Sequence, residues 1–425
     1  MARRLSAGTL GYTLGLNIHI LENRQAELDL IRKAGFRFLR VDLNWQRIEQ
    51  QASVYDFSYY DPIIKDITEG GFRIIFILAY SNTLYENQVK VGPFWKSSFR
   101  TAAPTSEKAK QAFLDFVQAA VIKYGALDPI WEIWNEPDQI FWAPEPNLDA
   151  YLLLAKATCK VIRKIDITAT VLAPAASLLP RPGALAPPFL AGVIGSDLLN
   201  CIDAVSVHPY LHIDELDWTP QLWQAIKRLP RRVEVDAVLP APPTFVSTEW
   251  GLSTYRSGIT DETQAAYLVK MVMLNLASNI PLSVIYSWRD AGDDPANPEH
   301  RYGITRRDGS AKPSYFALRH LVRQVGDMHF TCRVDWPRAI GLVFQDFASG
   351  DAVLATWPRP GRREWSATSN DRVEIQQLIP ALSASDAMGS TAAVDFFPDK
   401  TTVGPGIQPF FIRLRSGDGV TAICR

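Results

Sequence analysis

Two glutamates far apart in the chain each close a short strand-like run: Glu136 in Ile130-Trp-Glu-Ile-Trp-Asn-Glu-Pro137 and Glu249 in Phe245-Val-Ser-Thr-Glu-Trp-Gly251. Each carboxylate sits where an apolar run gives way to a loop. Two carboxylates facing each other across a cleft suffice to break a glycosidic bond, one donating a proton and the other attacking or activating water. Either residue alone is weak, because a glutamate beside a proline is commonly a solvated turn residue. Their coincidence at two separate strand ends carries the reading. Pro137 disfavours a helical backbone at the preceding residue and predicts an extended conformation for Glu136.

The elements that must position this pair alternate from the start of the chain. Apolar runs at 12–20, 36–43, 72–80, 130–136, 169–175, 202–208, 244–250 and 282–288 read as strands. Amphipathic segments at 24–34, 59–69, 106–124, 148–165, 220–229, 261–278 and 313–325 read as helices. Gly35 suits the end of the first helix and Ser106 the start of the third. The strands are continuous Val/Ile/Leu/Phe runs rather than alternating ones, which implies burial on both faces. The pattern predicts an α/β fold, a (β/α)8 TIM barrel over residues 1–325, in preference to an open doubly wound sheet. From residue 326 to 425 the runs are short, β-like and separated by Gly, Pro, Asn and Asp turns, which predicts a small antiparallel β-sandwich domain. The proline-rich stretch Leu179–Pro188 reads as a loop.

Composition narrows the function classes. The 425 residues carry a formal net charge of −1, and this balance offers no electrostatic footprint for nucleic acid or an anionic membrane. No apolar run reaches membrane-spanning length. The start, Met-Ala-Arg-Arg-Leu-Ser, has no apolar stretch behind its basic residues, so the protein is expected to be cytoplasmic, or secreted or periplasmic if a leader was removed. Cys159, Cys201, Cys332 and Cys424 lack the spacing of a metal site and are too few for a disulfide framework. They read as buried thiols, with Cys332 and Cys424 able to meet if both fall in the β domain.

A barrel draws its catalytic groups from the C-terminal ends of its strands. Those ends carry Asn17 and His19; Arg40, Asp42 and Asn44; Tyr80 and Asn82; Trp134, Asn135 and Glu136; His208 and Tyr210; Glu249 and Trp250; Trp288 and Asp290. Of these, His19, Arg40, Asn44, Tyr80, Asn135, His208, Tyr210, Trp250 and Trp288 are the candidates for holding the substrate. Arg40 interrupts an apolar strand and needs a carboxylate partner. Asp42, two residues on, is the local choice, and Glu249 across the barrel is the preferred one. His208 could be a hydrogen-bonded core histidine, and Tyr210 and Tyr286 could be core aromatics. Trp288 reads as a floor for the sugar. Two carboxylates need no metal and no organic cofactor for this chemistry.

At these residues the chain resembles the clan A glycoside hydrolases, and within that clan it is most similar to family 39. The motifs are Gly35-Phe-Arg-Phe-Leu-Arg-Val-Asp42, Trp134-Asn-Glu-Pro137, Ser206-Val-His-Pro-Tyr210 and Thr248-Glu-Trp-Gly251. The resemblance implies a retaining enzyme with Glu136 as acid/base and Glu249 as nucleophile, acting on an oligo- or polysaccharide. It implies an activity range of β-xylosidases, α-L-iduronidases and hydrolases of bacterial biofilm exopolysaccharide. The runs Asp56-Phe-Ser-Tyr-Tyr-Asp61 and Phe76-Ile-Leu-Ala-Tyr-Ser-Asn82 look most like the last group, the Psl-type endoglycosidases. The rivals are a family 5-like endoglucanase or mannanase, a uronic-acid-specific enzyme with Arg289 at its pocket wall, and a carbohydrate-binding protein without catalysis. In the double-displacement reading the Glu249 charge should raise the pKa of Glu136.

Overall fold

The computed structural model describes residues 8–19, 21–91, 98–178, 188–229, 243–255, 259–359, 373–376, 381–390, 395–396, 400–403, 408–414, 420 and 424. The N-terminal basic residues and positions 179–187 of the proline-rich stretch lie outside them.

Eight parallel strands close a barrel: β1 (Leu14–Asn17), β2 (Phe38–Asn44), β3 (Arg73–Ala79), β4 (Ile130–Ile133), β5 (Thr170–Ser177), β6 (Ala204–His208), β7 (Thr244–Trp250) and β8 (Ser283–Ile285). Each predicted strand contains its observed counterpart or overlaps it, and β7 has the predicted bounds. Helices wrap the barrel: α1 (Arg24–Lys33), α2 (Asp61–Glu69), α3 (Glu107–Tyr124), α4 (Leu148–Ile165), α5 (Pro188–Ile194), α6 (Thr219–Lys227), α7 (Asp261–Ala277) and α8 (Pro313–Val325). Ser106 caps α3 by accepting from the Ala109 N–H, and Gly35 ends α1 at φ +92°, a conformation that excludes most side chains. Sequence reading missed α5 and a hairpin of Gln88–Val91 and Ser98–Thr101, both short and weakly patterned.

The barrel interior is sealed below the site by one apolar layer: Phe38, Ile75, Ile130, Leu172, Ala204, Val246, Leu282 and Val284. Side chains alternate along a strand, so the residues two positions on from Phe38, Ile130 and Ala204 also face inward. They are Arg40, Glu132 and Ser206, all buried. The interior therefore changes from apolar to charged within one pleat.

Two register irregularities shape the C-terminal rim. Between β7 and β8, Ser283 pairs with Ser247 and Ile285 with Trp250, so β7 carries one residue more than its neighbour. Between β5 and β6, Pro174 pairs with Ser206 and Ala176 with Val207, which leaves Ala175 as the extra residue. Such bulges re-aim side chains.

The C-terminal region is antiparallel, with a five-stranded sheet in the order β9 (His329–Asp335), β10 (Ala339–Gln345), β11 (Ala352–Pro358), β16 (Phe410–Leu414), β13 (Ala381–Asp386). A second sheet orders β12 (Val373–Gln376), β15 (Lys400–Val403), β14 (Asp395–Phe396). Ile340, Leu342, Phe344, Val353, Ala355, Trp357 and Phe411 pack into the same core as the barrel helices, while Ala339, Val343, Leu354 and Ile412 face a separate cluster. One sheet face thus docks on the barrel, and the Trp357 indole donates to Asp217 at 3.3 Å.

The cysteines correct the expectation of free thiols. Cys159 on α4 is bonded to Cys201, and Cys332 on β9 to Cys424. The buried face of α4 brings Cys159 within 6.2 Å (Cα–Cα) of Cys201, a span that a disulfide bridges without moving the backbone. Cys159→Ser should lower the stability by about 2–4 kcal/mol, because a closed 42-residue loop restrains the unfolded chain. Thermal unfolding of the variant beside the wild type, with and without reductant, checks this. An equal melting temperature in all four samples would contradict it.

Candidate active site

Arg40 is the centre of the site. Its side chain is 1% exposed and its guanidinium is shared between two carboxylates: Nε donates to Glu132 at 2.6 Å and Nη1 to Glu249 at 2.7 Å. Nη2 donates to the Asn135 Oδ1 at 2.8 Å. Asp42, the local partner considered from sequence, is not bonded to it, and instead lies 3.5 Å from His19 and 3.4 Å from the Tyr80 hydroxyl. The preferred expectation, pairing with Glu249, describes the observed contact, and Glu132 supplies a second partner that sequence reading missed. The signal was available, because Glu132 interrupts an apolar strand just as Arg40 does and a buried charge needs a partner.

Glu249 is held on both oxygens. Oε2 accepts from Arg40 and, at 3.2 Å, from the Asn17 amide, while Oε1 accepts from the Tyr210 hydroxyl at 2.7 Å. The β7 bulge explains its aim. With Val246 facing the interior, unbroken alternation would turn Trp250 inward and Glu249 outward. The extra residue reverses that, and Glu249 lines the cleft while Trp250 is fully buried against Tyr267 of α7.

Glu136 sits in a different backbone state from the predicted one. Its φ is +43° and that of Trp134 is +69°, so the chain leaves β4 through left-handed residues rather than extended ones. Left-handed backbone at non-glycine residues is strained and persists only where neighbours enforce it. Here the Trp134 N–H donates to Leu78 and the Glu136 N–H to Ala175, the bulge residue of β5, which is itself at φ +56° and anchored by Ser206 Oγ. The turn brings the Glu136 Oε1 to 2.9 Å from His208 Nδ1. One oxygen of Glu136 and one of Glu249 lie within 4.8 Å of each other.

A family model described as "Glycosyl hydrolases family 39" matches residues 11–352. The chain belongs to glycoside hydrolase family 39. A family 39 glycoside hydrolase from the gut symbiont Bacteroides cellulosilyticus WH2 superposes with a TM-score of 0.76 at 20% identity, covering 95% of this chain and 81% of that one. A β-xylosidase of the family from Caulobacter crescentus gives 0.63 at 18% identity, covering 97% and 98%. The family 39 enzyme from Xanthomonas axonopodis pv. citri gives 0.63 at 17%, covering 97% and 96%. At these identities the likeness speaks for the fold. No curated protein matches the sequence significantly.

The cleft of this family 39 chain has a volume of about 640 Å³ and is lined by His19, Arg40, Tyr80, Asn135, Glu136, Tyr210 and Glu249 among others. His208 lies fully buried beneath it. Three expected contacts are corrected. Trp250 faces the helices for the reason above. Trp288 packs edge-on against Tyr315 and donates its indole N–H to Glu27 at 2.5 Å, beneath the rim rather than on the floor. Asn44 accepts from the Arg47 N–H as the cap of a short helix and lines a different surface groove. Arg289 does not reach the cleft either, being tied to Glu22 at 2.9 Å and Glu27 at 2.8 Å. Tyr286, left open between core and cleft, lines the cleft, as do Tyr302, Glu299, Phe141 and Arg100, which sequence reading missed. Tyr302 and Glu299 lie in the long segment after β8 and Arg100 in the unpredicted hairpin, where nothing in the residue pattern fixes a direction.

The two carboxylates have different environments. Burial pushes Glu136 up to about 7, opposed by the Arg40 charge and assisted by that of Glu299. The sequence expectation of a raised pKa holds, but burial and not the Glu249 charge is its main cause. Burial also holds His208 below the ordinary histidine value, outweighing the Glu249 charge, so the ring is neutral at pH 7. Its Nε2 lies 3.5 Å from an Arg40 nitrogen, which can only donate, so Nδ1 carries the proton and donates it to Glu136 Oε1. The acidic proton of Glu136 then belongs on Oε2. For His19, burial acts downward but the hydrogen bond and charge of Asp42 prevail and raise it. Glu136, His208 and Glu249 have a spacing that could accept a cation, yet Arg40 already supplies a positive charge there and both Glu249 oxygens are engaged.

Because Glu136 titrates near 7 in the fold and near 4.5 unfolded, its proton stabilises the fold below 4.5, and that contribution is lost as pH rises through 7. Glu136→Gln should therefore be more stable than wild type at pH 8, by up to about 3 kcal/mol, and no more stable at pH 4. Denaturant unfolding at both values tests it; a gain of equal size at both would contradict the assignment.

Proposed function

We propose that the chain is a retaining β-glycosidase that cuts within a polysaccharide, with a bacterial exopolysaccharide as the favoured substrate. The observation that carries the retaining reading is the approach of a Glu136 oxygen and a Glu249 oxygen to within 4.8 Å. Retaining enzymes hold their carboxyl groups about 5–5.5 Å apart, and inverting ones about 6.5–9.5 Å to admit a water. Glu249, paired with Arg40 and oriented by Tyr210 and Asn17, attacks the anomeric carbon. Glu136 gives the Oε2 proton to the leaving oxygen and later takes one from water. Asn135, its carbonyl fixed by Arg40, is left with amide N–H groups for the sugar 2-OH, where contacts strengthen in the transition state.

The family supports a carbohydrate substrate. The exopolysaccharide reading rests on the runs 56–61 and 76–82, and exo-acting β-xylosidase action is its rival. A second reading, cleavage beside an acidic sugar, is favoured by Arg100: its guanidinium stacks on Phe141 at the cleft wall, 5.0 Å from the ring centre, and no carboxylate pairs with it among the described residues. The two disulfides favour an oxidising, extracytoplasmic location over the cytoplasm. We place the division between the catalytic barrel and the small domain at residue 325.

Incubation with purified bacterial exopolysaccharides, xylans, mannans and uronate-containing glycans, followed by product sizing, decides between these substrates. With the best of them, Glu249→Ala should lose at least about a thousandfold in kcat, with partial recovery in azide. Retained turnover in that variant would refute the nucleophile role.

A further inference from the structure

A second cavity of about 460 Å³ adjoins the catalytic cleft, and the two share His19 and Asp42 as a common wall. Its size falls within the ordinary range for small-ligand sites, about 300–1,000 Å³. It lies between the segments that follow β1 and β2 on the C-terminal rim. Ile18, Val41 and Ile63 give it an apolar side, while Tyr59, Tyr60 and Arg47 give it an amphipathic one. Tyr59 is 48% exposed, and the Arg47 guanidinium is stacked on its ring at 4.2 Å. The Tyr60 oxygen accepts from the Asn44 N–H at 3.0 Å, which leaves its own hydroxyl proton available. Apolar faces beside fixed hydroxyl and guanidinium groups match a pyranose, whose C–H faces are apolar and whose edge is ringed with hydroxyls.

The direction of the chain follows from the roles of the two glutamates, so the inference rests on the reading above. The leaving group must lie against Glu136, on the side of Phe141 and Gln139. The unit attacked by Glu249 sits over Arg40 and Asn17, next to Asp42 and His19. We infer that the chamber beyond His19 and Asp42 binds the next sugar unit on the glycone side, a pyranose of the same β-linked chain. The enzyme then requires at least two units before the scissile bond, and its smallest product from the non-reducing end is a disaccharide.

The test uses xylo-, manno- and cello-oligosaccharides of two to six units and the matching 4-nitrophenyl monoglycosides. In the wild type, kcat/KM should rise at least tenfold from the monoglycoside to oligosaccharides that reach the chamber, with no monosaccharide released from the non-reducing end. Tyr59→Ala, at a half-exposed position, and Ser58→Trp, which fills the chamber, should each reduce that ratio at least tenfold. Ratios equal to wild type in both variants, or stepwise release of monosaccharide, would overturn the chamber. Calorimetric binding of the hexasaccharides needs no turnover. Weaker binding in both variants supports the chamber even if no substrate is cleaved, in which case only the reaction assigned above fails. Equal binding in all three proteins, or none in any, overturns the chamber whatever the turnover.

Discussion

One guanidinium organises this molecule. Arg40 reaches β4 through Glu132, β7 through Glu249 and the residues after β4 through Asn135, all from inside the barrel. Burying two carboxylates and one cation is costly in itself, and the arrangement is stable only because the hydrogen bonds are nearly complete. Removing Arg40 would leave Glu132 charged and unpaired in the interior, a loss of about 3–5 kcal/mol. The same fork orders the site, since it holds one Glu249 oxygen and, through Nη2, fixes which face of Asn135 is free and which nitrogen of His208 carries the proton.

The second constraint is backbone geometry. A regular strand presents every other side chain, and unbroken alternation would hide Glu249 behind the barrel wall. The extra residue in β7 turns it inward, and the extra residue in β5 holds the strained turn that aims Glu136. The two carboxylates therefore meet through local departures from regularity, placed on a rigid apolar layer that keeps them in register. Their surroundings are unlike. Arg40, Asn17 and Tyr210 hold both oxygens of Glu249 by hydrogen bonds, while burial favours a proton on Glu136.

Most of the barrel was legible in the chain because its strands are apolar runs of uniform texture and most of its helices carry one apolar face. Arg40, Glu136, His208, Tyr210 and Glu249 were legible as polar groups ending or breaking such runs. Trp250 and Trp288 were misread for a physical reason: position at a strand end says a residue is near the rim, not which way it faces, and a bulge reverses the parity. Glu132 was overlooked although the rule that singled out Arg40 applies to it equally. Arg100, Glu299 and Tyr302 come from long rim segments whose course depends on packing rather than on periodicity. The Cys159–Cys201 bond joins segments that only the folded barrel brings together.

Rim segments also set how much of a glycan the site can grip. The run 56–61, noted in the sequence for its texture, forms part of the wall of the chamber beside the cleft, so a feature of the sequence with no evident chemistry acquires a place next to the cavity lined by Glu136 and Glu249. In the mechanism we propose, Glu249 bonds covalently to the sugar while Glu136 manages the proton. The most direct measurement is mass spectrometry of the proteolysed protein after reaction with an activated 2-deoxy-2-fluoro-β-glycoside of the sugar identified by product sizing. One added glycosyl group, as an ester, is expected on the peptide containing Glu249. A label on the peptide containing Glu136, or turnover of the natural substrate with inversion at the anomeric carbon, would contradict it.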